Sequence, residues 1–291
     1  MKKITFEKYH CMGNDYLVYD PNKNEMELNE ENIRLICDRN FGVGSDGILA
    51  GPYLDQEKMY VKILNPDGSE VPKSGNGMGI FAKYLKDAGY VQKTSVSWMT
   101  ISGEENVFYL NEEGTRVKIS MGRPSFWSDE IPVTGERREM VNQTMMFGKI
   151  PYVTTCLSLG NPHCVIWMSE ISKDQVCRIG EHSENADYFP EKVNTQLLNV
   201  LDRTNIQIEI YERGAGYTLA SGSCACAAAC AALRLGLADN NMYVHMPGGI
   251  LEVEIKEDGT VYMVGEVGHV GTITLGNEMT EKLRAMQVKN N

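Results

Sequence analysis

The sequence predicts an α+β fold built as two similar lobes with largely antiparallel sheets. Short strand-like runs dominate, and hairpin turns join them, so neighbouring strands run in opposite directions. The two halves also echo each other: in each, a strand leads into a small-residue loop and then an Ala/Gly-rich helix. The loops are Lys73-Ser74-Gly75-Asn76-Gly77 and Ala220-Ser221-Gly222-Ser223-Cys224, and their serines lie 147 residues apart in a chain of 291. A repeat at half the chain length predicts duplication, with the two lobes facing each other across a cleft.

Taken in order, Lys3 to Phe6 and Tyr16 to Tyr19 read as strands around the loop Cys11-Met12-Gly13-Asn14-Asp15. Asn29 to Cys37 reads as a helix, with Ile33, Ile36 and Cys37 on one face. Ile48 to Ala50 and Tyr60 to Leu64 read as strands, and the second stops at the turn signal Asn65-Pro66-Asp67-Gly68. Gly77 to Ala88 is a helix. Ser95 to Ile101, Glu105 to Leu110 and Thr115 to Met121 are strands, with a hairpin turn at Glu113-Gly114. Gly122-Arg123-Pro124 ends this run and opens an irregular stretch. The domain boundary is placed there: an N-terminal lobe of residues 1–123, to which 266–291 return, and a C-terminal lobe of 124–265. Thr154 to Leu159, Cys164 to Met168 and Ile206 to Tyr211 are strands, and Cys224 to Leu235 is a long Ala-rich helix. Met242 to Met246, Ile250 to Ile255 and Val261 to Val264 close the lobe as strands.

Composition excludes several classes of function. Lys and Arg number 28 against 39 Asp and Glu, a net charge of −11, so the chain has no excess of base to grip a phosphate backbone, and no nucleic-acid partner is expected. Hydrophobic residues at 42% and charged ones at 23% suit a globular protein with a sizeable core. Two lysines follow Met1 without an apolar run behind them, so no secretory signal is read. No stretch reaches the roughly 18 apolar residues of a membrane span, so no membrane partner is expected. A cytoplasmic protein with eight reduced cysteines follows. Cys224, Cys226 and Cys230 have metal-like spacing, but alanines surround them and no histidine is near, so they read as small buried residues of a tightly packed helix.

Gly42-Val43-Gly44-Ser45-Asp46-Gly47 matches G-x-G-x-x-G, yet a helix precedes it and a strand follows, the reverse of a dinucleotide site. It reads as tight turns. Ser74 and Ser221 invite a hydrolase reading with His163 and Glu212, but Lys73 and Ala220 break the nucleophile-elbow pattern. Each serine alone reads as a helix N-cap. Their duplicated setting says more: two helix N-termini, each with free N–H groups, would, on converging at one cleft, hold a carboxylate and stabilise charge developing beside it. Removal of a proton next to a carboxylate needs that stabilisation. Glu212-Arg213 lies between a strand and the turn Gly214-Ala215-Gly216, and Asn161-Pro162-His163 lies at a strand end, where functional loops are common. No histidine pair has ligand spacing and no lysine stands out by context, so no metal, pyridoxal or other cofactor is expected.

These residues fall into five motifs: Gly13-Asn14-Asp15-Tyr16; Asp38-Arg39 through Gly47; Asn65 through Gly77; Gly160-Asn161-Pro162-His163-Cys164; and Glu212-Arg213-Gly214-Ala215-Gly216 continuing to Cys226. In this order, through nearly the whole chain, the sequence resembles the diaminopimelate epimerases, cofactor-independent amino-acid epimerases. The resemblance implies two lobes, each a β-sheet curled around a central helix, related by a pseudo-twofold with the active site between them. It implies two cysteines on opposite faces of the substrate Cα, one removing the proton as thiolate and the other returning one as thiol. Their positions here are Ser74 and Ser221, supported by His163 and Glu212 respectively. Gly75-Asn76 and Gly222-Ser223 correspond to the helix starts that hold the α-carboxylate. Asn14, Asn65, Asn161, Asn194 and Arg213 correspond to residues that bind the far end of the substrate. The implied role is in the pathway to lysine and peptidoglycan precursors, with an amino acid as small-molecule partner; a homodimer is a candidate assembly that the sequence does not fix.

The chain departs from that pattern in several places. Both catalytic cysteine positions hold serine, whose hydroxyl scarcely ionises near neutral pH. With both thiols absent and the surrounding motifs intact, the sequence reads as a Cys-to-Ser inactivated, substrate-trapping form. Gly79 stands where the family usually has arginine, Cys224 where it has glycine, and Tyr217 where Glu or Pro is common. These departures leave room for a racemase of another amino acid, such as histidine, or for a non-catalytic amino-acid-binding relative.

Overall fold

The structure, a computed structural model, describes residues 3–56, 58–71 and 73–288. Met1 and Lys2, at the start of the stretch read for a leader, lie outside the described residues. The chain divides into two compact units, Met1–Ile119 with Gly265–Asn291, and Ser120–Val264.

In the first unit β1 (Thr5–Cys11) and β2 (Asn14–Tyr19) form a hairpin, and α1 (Glu30–Cys37) leads to β3 (Ile48–Asp55). Next, β4 (Lys58–Leu64) and β5 (Glu70–Val71) lead into α2 (Gly75–Asp87), followed by β6 (Ser95–Thr100), β7 (Gly103–Tyr109) and β8 (Arg116–Gly122), whose last three residues fall in the second unit. In the second unit β9 (Gln143–Phe147) precedes the same succession. A hairpin of β10 (Ile150–Ser158) and β11 (Pro162–Trp167) is followed by α3 (Lys173–Glu184), β12 (Asn194–Asp202), β13 (Asn205–Glu212) and β14 (Gly216–Thr218). Then come α4 (Gly222–Arg234), β15 (Asn241–Met246), β16 (Gly249–Ile255) and β17 (Val261–Thr274). The start of β17 pairs with β16 and its remainder with β1, and α5 (Asn277–Val288) packs on α1.

Strand directions repeat along with strand order. β1–β2 is antiparallel, β2–β3 parallel, β3–β4 antiparallel, β4–β6 parallel, and β6–β7–β8 antiparallel. The second unit runs through the same series in β10–β11, β11–β12, β12–β13, β13–β15 and β15–β16–β17. The 147-residue offset of the two serines also relates Gly13 to Gly160, Tyr16 to His163 and Asn65 to Glu212. Gly13 and Gly160 both turn a hairpin in the left-handed region, at φ 84° and 91°. The α+β class with largely antiparallel sheets is therefore observed, and the duplication is written in the topology of each unit.

Each unit surrounds one buried helix. Eleven of the thirteen residues of α2 and ten of the thirteen of α4 are buried, so each helix is covered on nearly every side. Glycines in α2 and alanines in α4 keep these helices thin, so strands β1, β2, β3 and β7 close on α2, and β10–β13, β15 and β16 on α4. Cys224, Cys226 and Cys230 lie in this packing. A second layer covers the other face of each sheet. Ile33 and Ile36 of α1 join Phe6, Leu17 and Ile48, while Val176 and Ile179 of α3 join Ile166 and Leu197. Covered on both faces, β2 and β11 are buried along nearly their whole length.

Local signals explain the ends of the elements. Asn29 caps α1 by accepting from the Asn32 N–H, with Glu30 and Glu31 in the first turn. The span Cys11 to Asp15, read as a loop, is a two-residue turn: β1 runs to Cys11, β2 starts at Asn14, and Met12 and Gly13 take φ of 52° and 84°. The Gly42–Gly47 segment joins α1 to β3. A Cβ on Gly42 would lie 1.9 Å from the Leu35 carbonyl oxygen, so close backbone approach requires glycine there.

Candidate active site

In the first unit the sequence-predicted residues gather at the N-terminus of α2. Ser74 is its N-cap, in extended backbone, and its Oγ accepts from the Gly77 N–H at 3.1 Å. The same Oγ lies 3.2 Å from the Tyr16 hydroxyl. Asn76, 4% exposed, donates its Nδ2 to Asn14 Oδ1 at 3.2 Å, while Asn76 Oδ1 is buried without a hydrogen-bond partner. Asn14 in turn donates to Asp46 Oδ2 at 2.8 Å. Asn65 follows β4, with its Nδ2 on Ser69 Oγ at 3.0 Å and not on the other site residues.

Asp46 and Asp15 fix this corner. Asp46 Oδ2 also accepts from the Asp15 N–H, and Arg39 bridges Asp15 and Asp46 at 2.7 Å each. Lys8 reaches Asp15 at 2.7 Å. Burial pushes the Asp15 carboxyl up, but hydrogen bonds and charge from Arg39 and Lys8 outweigh it, so Asp15 is held below the usual carboxylate range.

In the second unit the two functional strand ends meet the N-terminus of α4. Ser221 occupies the N-cap position, but its side chain makes no cap bond. It donates instead to Glu212 Oε2 at 3.0 Å. This is the clearest difference between two otherwise equivalent serines: one hydroxyl caps its helix and the other engages a carboxylate. Asn161 Nδ2 approaches Ser223 Oγ at 3.5 Å, the counterpart of the Asn76–Asn14 contact. Asn194 holds the Pro162 carbonyl at 3.0 Å and accepts from the Arg213 N–H at 3.1 Å, so it ties the two loops together. The Arg213 side chain is oriented by the Glu191 carbonyl at 3.0 Å.

His163 is fully buried, and both ring nitrogens are engaged. Gln196 Nε2 donates to Nδ1 at 3.2 Å, which leaves the proton on Nε2, facing Asn161 Oδ1 at 2.9 Å. Gln196 also donates to the Cys224 thiol at 3.1 Å. Burial and the negative charge of Glu212 push the Cys224 thiol well above its ordinary range, so it stays protonated beside Ser221. Burial first, then the charge of Arg213, hold the His163 pKa down to about 3 from 6.5. Between those two values the unfolded chain takes up a proton that the folded chain refuses, so this contribution to stability falls as pH drops through the window. Urea midpoints measured from pH 7 to 4.5 are expected to fall more steeply for the parent than for His163→Asn. Equal slopes would mean that His163 accepts a proton in the folded state.

Two participants were missed by sequence reasoning. Tyr16 lies within the Gly13–Tyr16 motif, but at the head of the continuous apolar run Tyr16 to Tyr19 it reads as core. Gln196 sits in a strand that was not anticipated. A lone amide between Thr195 and Leu197-Leu198 was the available signal, because a buried amide needs partners.

Comparison with known proteins follows the same residues. The family model for diaminopimelate epimerase matches residues 6–127 and 155–270. Diaminopimelate epimerase 2 from Nostoc sp. is 43% identical over 277 residues, 95% of this chain and 97% of that protein. A diaminopimelate epimerase from Alkaliphilus metalliredigens is 34% identical over 267 residues, covering 90% and 94%. Among solved structures, a hydroxyproline epimerase from Agrobacterium vitis superposes with a TM-score of 0.67 at 12% identity, covering 94% of this chain and 92% of that one. A phenazine biosynthesis protein from Bacillus anthracis gives 0.61 at 16% identity, covering 95% and 100%. At such identities these two structures speak for the fold alone.

Proposed function

Because the chain belongs to the diaminopimelate epimerase family, we propose that it inverts Cα of diaminopimelate between the LL and meso forms by cofactor-independent, two-base proton transfer. The observation that carries this reading is the Ser221–Glu212 pair. A hydroxyl at a helix N-cap gives up its capping bond to donate to a carboxylate 3.0 Å away. In the proposed reaction Glu212 takes the Cα proton through Ser221, and Ser74 serves the opposite face. The free N–H groups at the starts of α2 and α4, from Gly75-Asn76 and Gly222-Ser223, hold the α-carboxylate and the charge that develops on it. The unpartnered Asn76 Oδ1 suits a substrate ammonium. Asn14, Asn65, Asn161 and Asn194 shape the far end, and Arg213 grips its carboxylate. His163 enters as a neutral group that sets its surroundings.

With serine at both proton-transfer positions, the chain turns over slowly and retains its ligand. Calorimetric titration is therefore the direct test: diaminopimelate should bind, with proline and histidine much weaker. Arg213→Lys should weaken that binding by roughly tenfold or more, because a planar two-point contact becomes a single point charge. Unchanged affinity would assign Arg213 to the fold and favour a substrate without a distal carboxylate. The proposal includes a cytoplasmic setting and no nucleic-acid partner. It also includes a homodimer, which sedimentation equilibrium would detect. No helix among the described residues is long and apolar enough to cross a membrane.

A further inference from the structure

The two repeats supply different partners to their serines. Nine residues before Ser221 stands Glu212, which can accept a proton; nine before Ser74 stands Asn65, whose amide cannot. Fifty-eight residues before Ser221 stands His163, and the equivalent residue before Ser74 is Tyr16. His163 has both nitrogens occupied, by Asn161 and Gln196 of its own unit. Tyr16, in contrast, brings its hydroxyl to 3.2 Å from Ser74 Oγ.

That placement is held from several sides. The Tyr16 ring lies against Gly47, where a Cβ would come within 2.7 Å of Tyr16 Cε1, so only glycine leaves room for the ring. Asp46, one residue earlier, accepts from the Asp15 N–H and from Asn14, and Arg39 and Lys8 clamp Asp15. The glycine-rich segment that matches no nucleotide site thus forms the seat of Tyr16. The residue is 7% exposed, so its hydroxyl is fixed in position.

We propose that Tyr16 is a catalytic residue, the proton reservoir of Ser74. This rests on the epimerase reading above. When Cα is reprotonated, the Ser74 O–H bond breaks and a C–H bond forms at Cα. In the same event the Tyr16 O–H proton passes to Ser74 Oγ, leaving a tyrosinate that solvent water reprotonates. In the reverse direction Ser74 takes the Cα proton and passes its own to the tyrosinate. A phenol, with an ordinary pKa of about 10, can carry that charge where an aliphatic hydroxyl cannot. The serine form then works with two unlike relays, Ser221–Glu212 and Ser74–Tyr16.

The test is a cycle of Cα deuterium incorporation from D2O into diaminopimelate, followed by mass spectrometry for the parent, Tyr16→Phe, Ser74→Cys and the combined variant. Phenylalanine keeps the ring on Gly47 and removes only the hydroxyl. Exchange should fall about 100-fold in the serine background. The loss should be at least about tenfold smaller with cysteine at 74, because a thiol ionises without a relay. Equal losses in both backgrounds would reveal a structural role and overturn the inference. So would no loss at all, or a silent parent beside an active Ser74→Cys/Ser221→Cys variant. If every variant is silent, the epimerase reading has failed, and tyrosine labelled with 13C at Cζ then decides the pairing. A Ser74→Ala shift of the Tyr16 resonance supports the relay for another substrate, and an unmoved resonance overturns it.

Discussion

Replacing Ser74 and Ser221 together by cysteine is expected to raise Cα proton exchange on diaminopimelate by at least about 1,000-fold. A well-placed general acid or base contributes roughly 10²- to 10⁴-fold, and two positions change at once. The geometry favours thiols at both. Each position opens a thirteen-residue helix, α2 or α4, whose N-terminal N–H groups and dipole stabilise a thiolate. With serine at both positions those same groups face hydroxyls that scarcely ionise. Single replacements should fall far short of the pair, because inversion needs both proton transfers and residues acting as a unit are not additive. The measurement is deuterium incorporation together with the LL to meso ratio by chiral chromatography. A parent chain that already matches the double variant would sink the idea, as would a double variant silent on every amino acid offered. Cys224 makes the control informative. It lies one turn beyond Ser221 but is buried and held protonated, so it does not stand in for the missing thiol.

The parts of the fold that the sequence reveals are those where the signal is local. Asn65-Pro66-Asp67-Gly68 stops β4 because its turn chemistry is self-contained, and Asn29 announces α1 by its cap. The buried helices α2 and α4 stand out by their glycines and alanines. By contrast, α3 buries few apolar residues, Val176 and Ile179 among them, and the rest of its sequence reads as a solvated stretch. Strand β12 carries Gln196 and Asn199 between its aliphatics, so no clean alternation appears. Helix α5 is charged, and its packing on α1 is set by tertiary contact. The site divides in the same way. Motif order pointed to Ser74, Ser221, His163 and Glu212, and the resemblance paired Glu212 with Ser221, but neither pointed to Tyr16 or Gln196. That Ser221 abandons its cap for Glu212, and that Asn194 braces Pro162 and Arg213, depends on strand register: parallel pairing sets His163 opposite Asn194. Register is a long-range property, and no short window of sequence contains it.

Gly79→Arg, which restores the residue usual in the family, is expected to destabilise the protein by about 3–5 kcal/mol, the range for an unpaired buried charge. Gly79 lies inside α2 and is buried. A Cβ there would meet Val117 Cγ2 at 3.1 Å, Ile119 Cδ1 at 3.2 Å and Val267 Cγ2 at 3.4 Å. An arginine stem would thus enter a space already filled by three aliphatic side chains, and overpacking adds about 1–3 kcal/mol. The better helix propensity of arginine returns less than about 1 kcal/mol. Gly79→Ala isolates the first contact: its propensity gain of about 1 kcal/mol opposes a crowding of a few tenths of an ångström, so its urea midpoint should stay near the parent's. The departure at 79 is then matched by Val117, Ile119 and Val267, which occupy the volume that an arginine would need. If Gly79→Arg unfolds at the parent's urea concentration, those side chains give way and the guanidinium finds a polar partner. In that case the departure is not fixed by packing, and the arginine variant becomes the one to screen for a change of substrate. If it unfolds as early as the charge and crowding require, substrate choice in this chain must be traced to other positions, Tyr217 and Arg213 first.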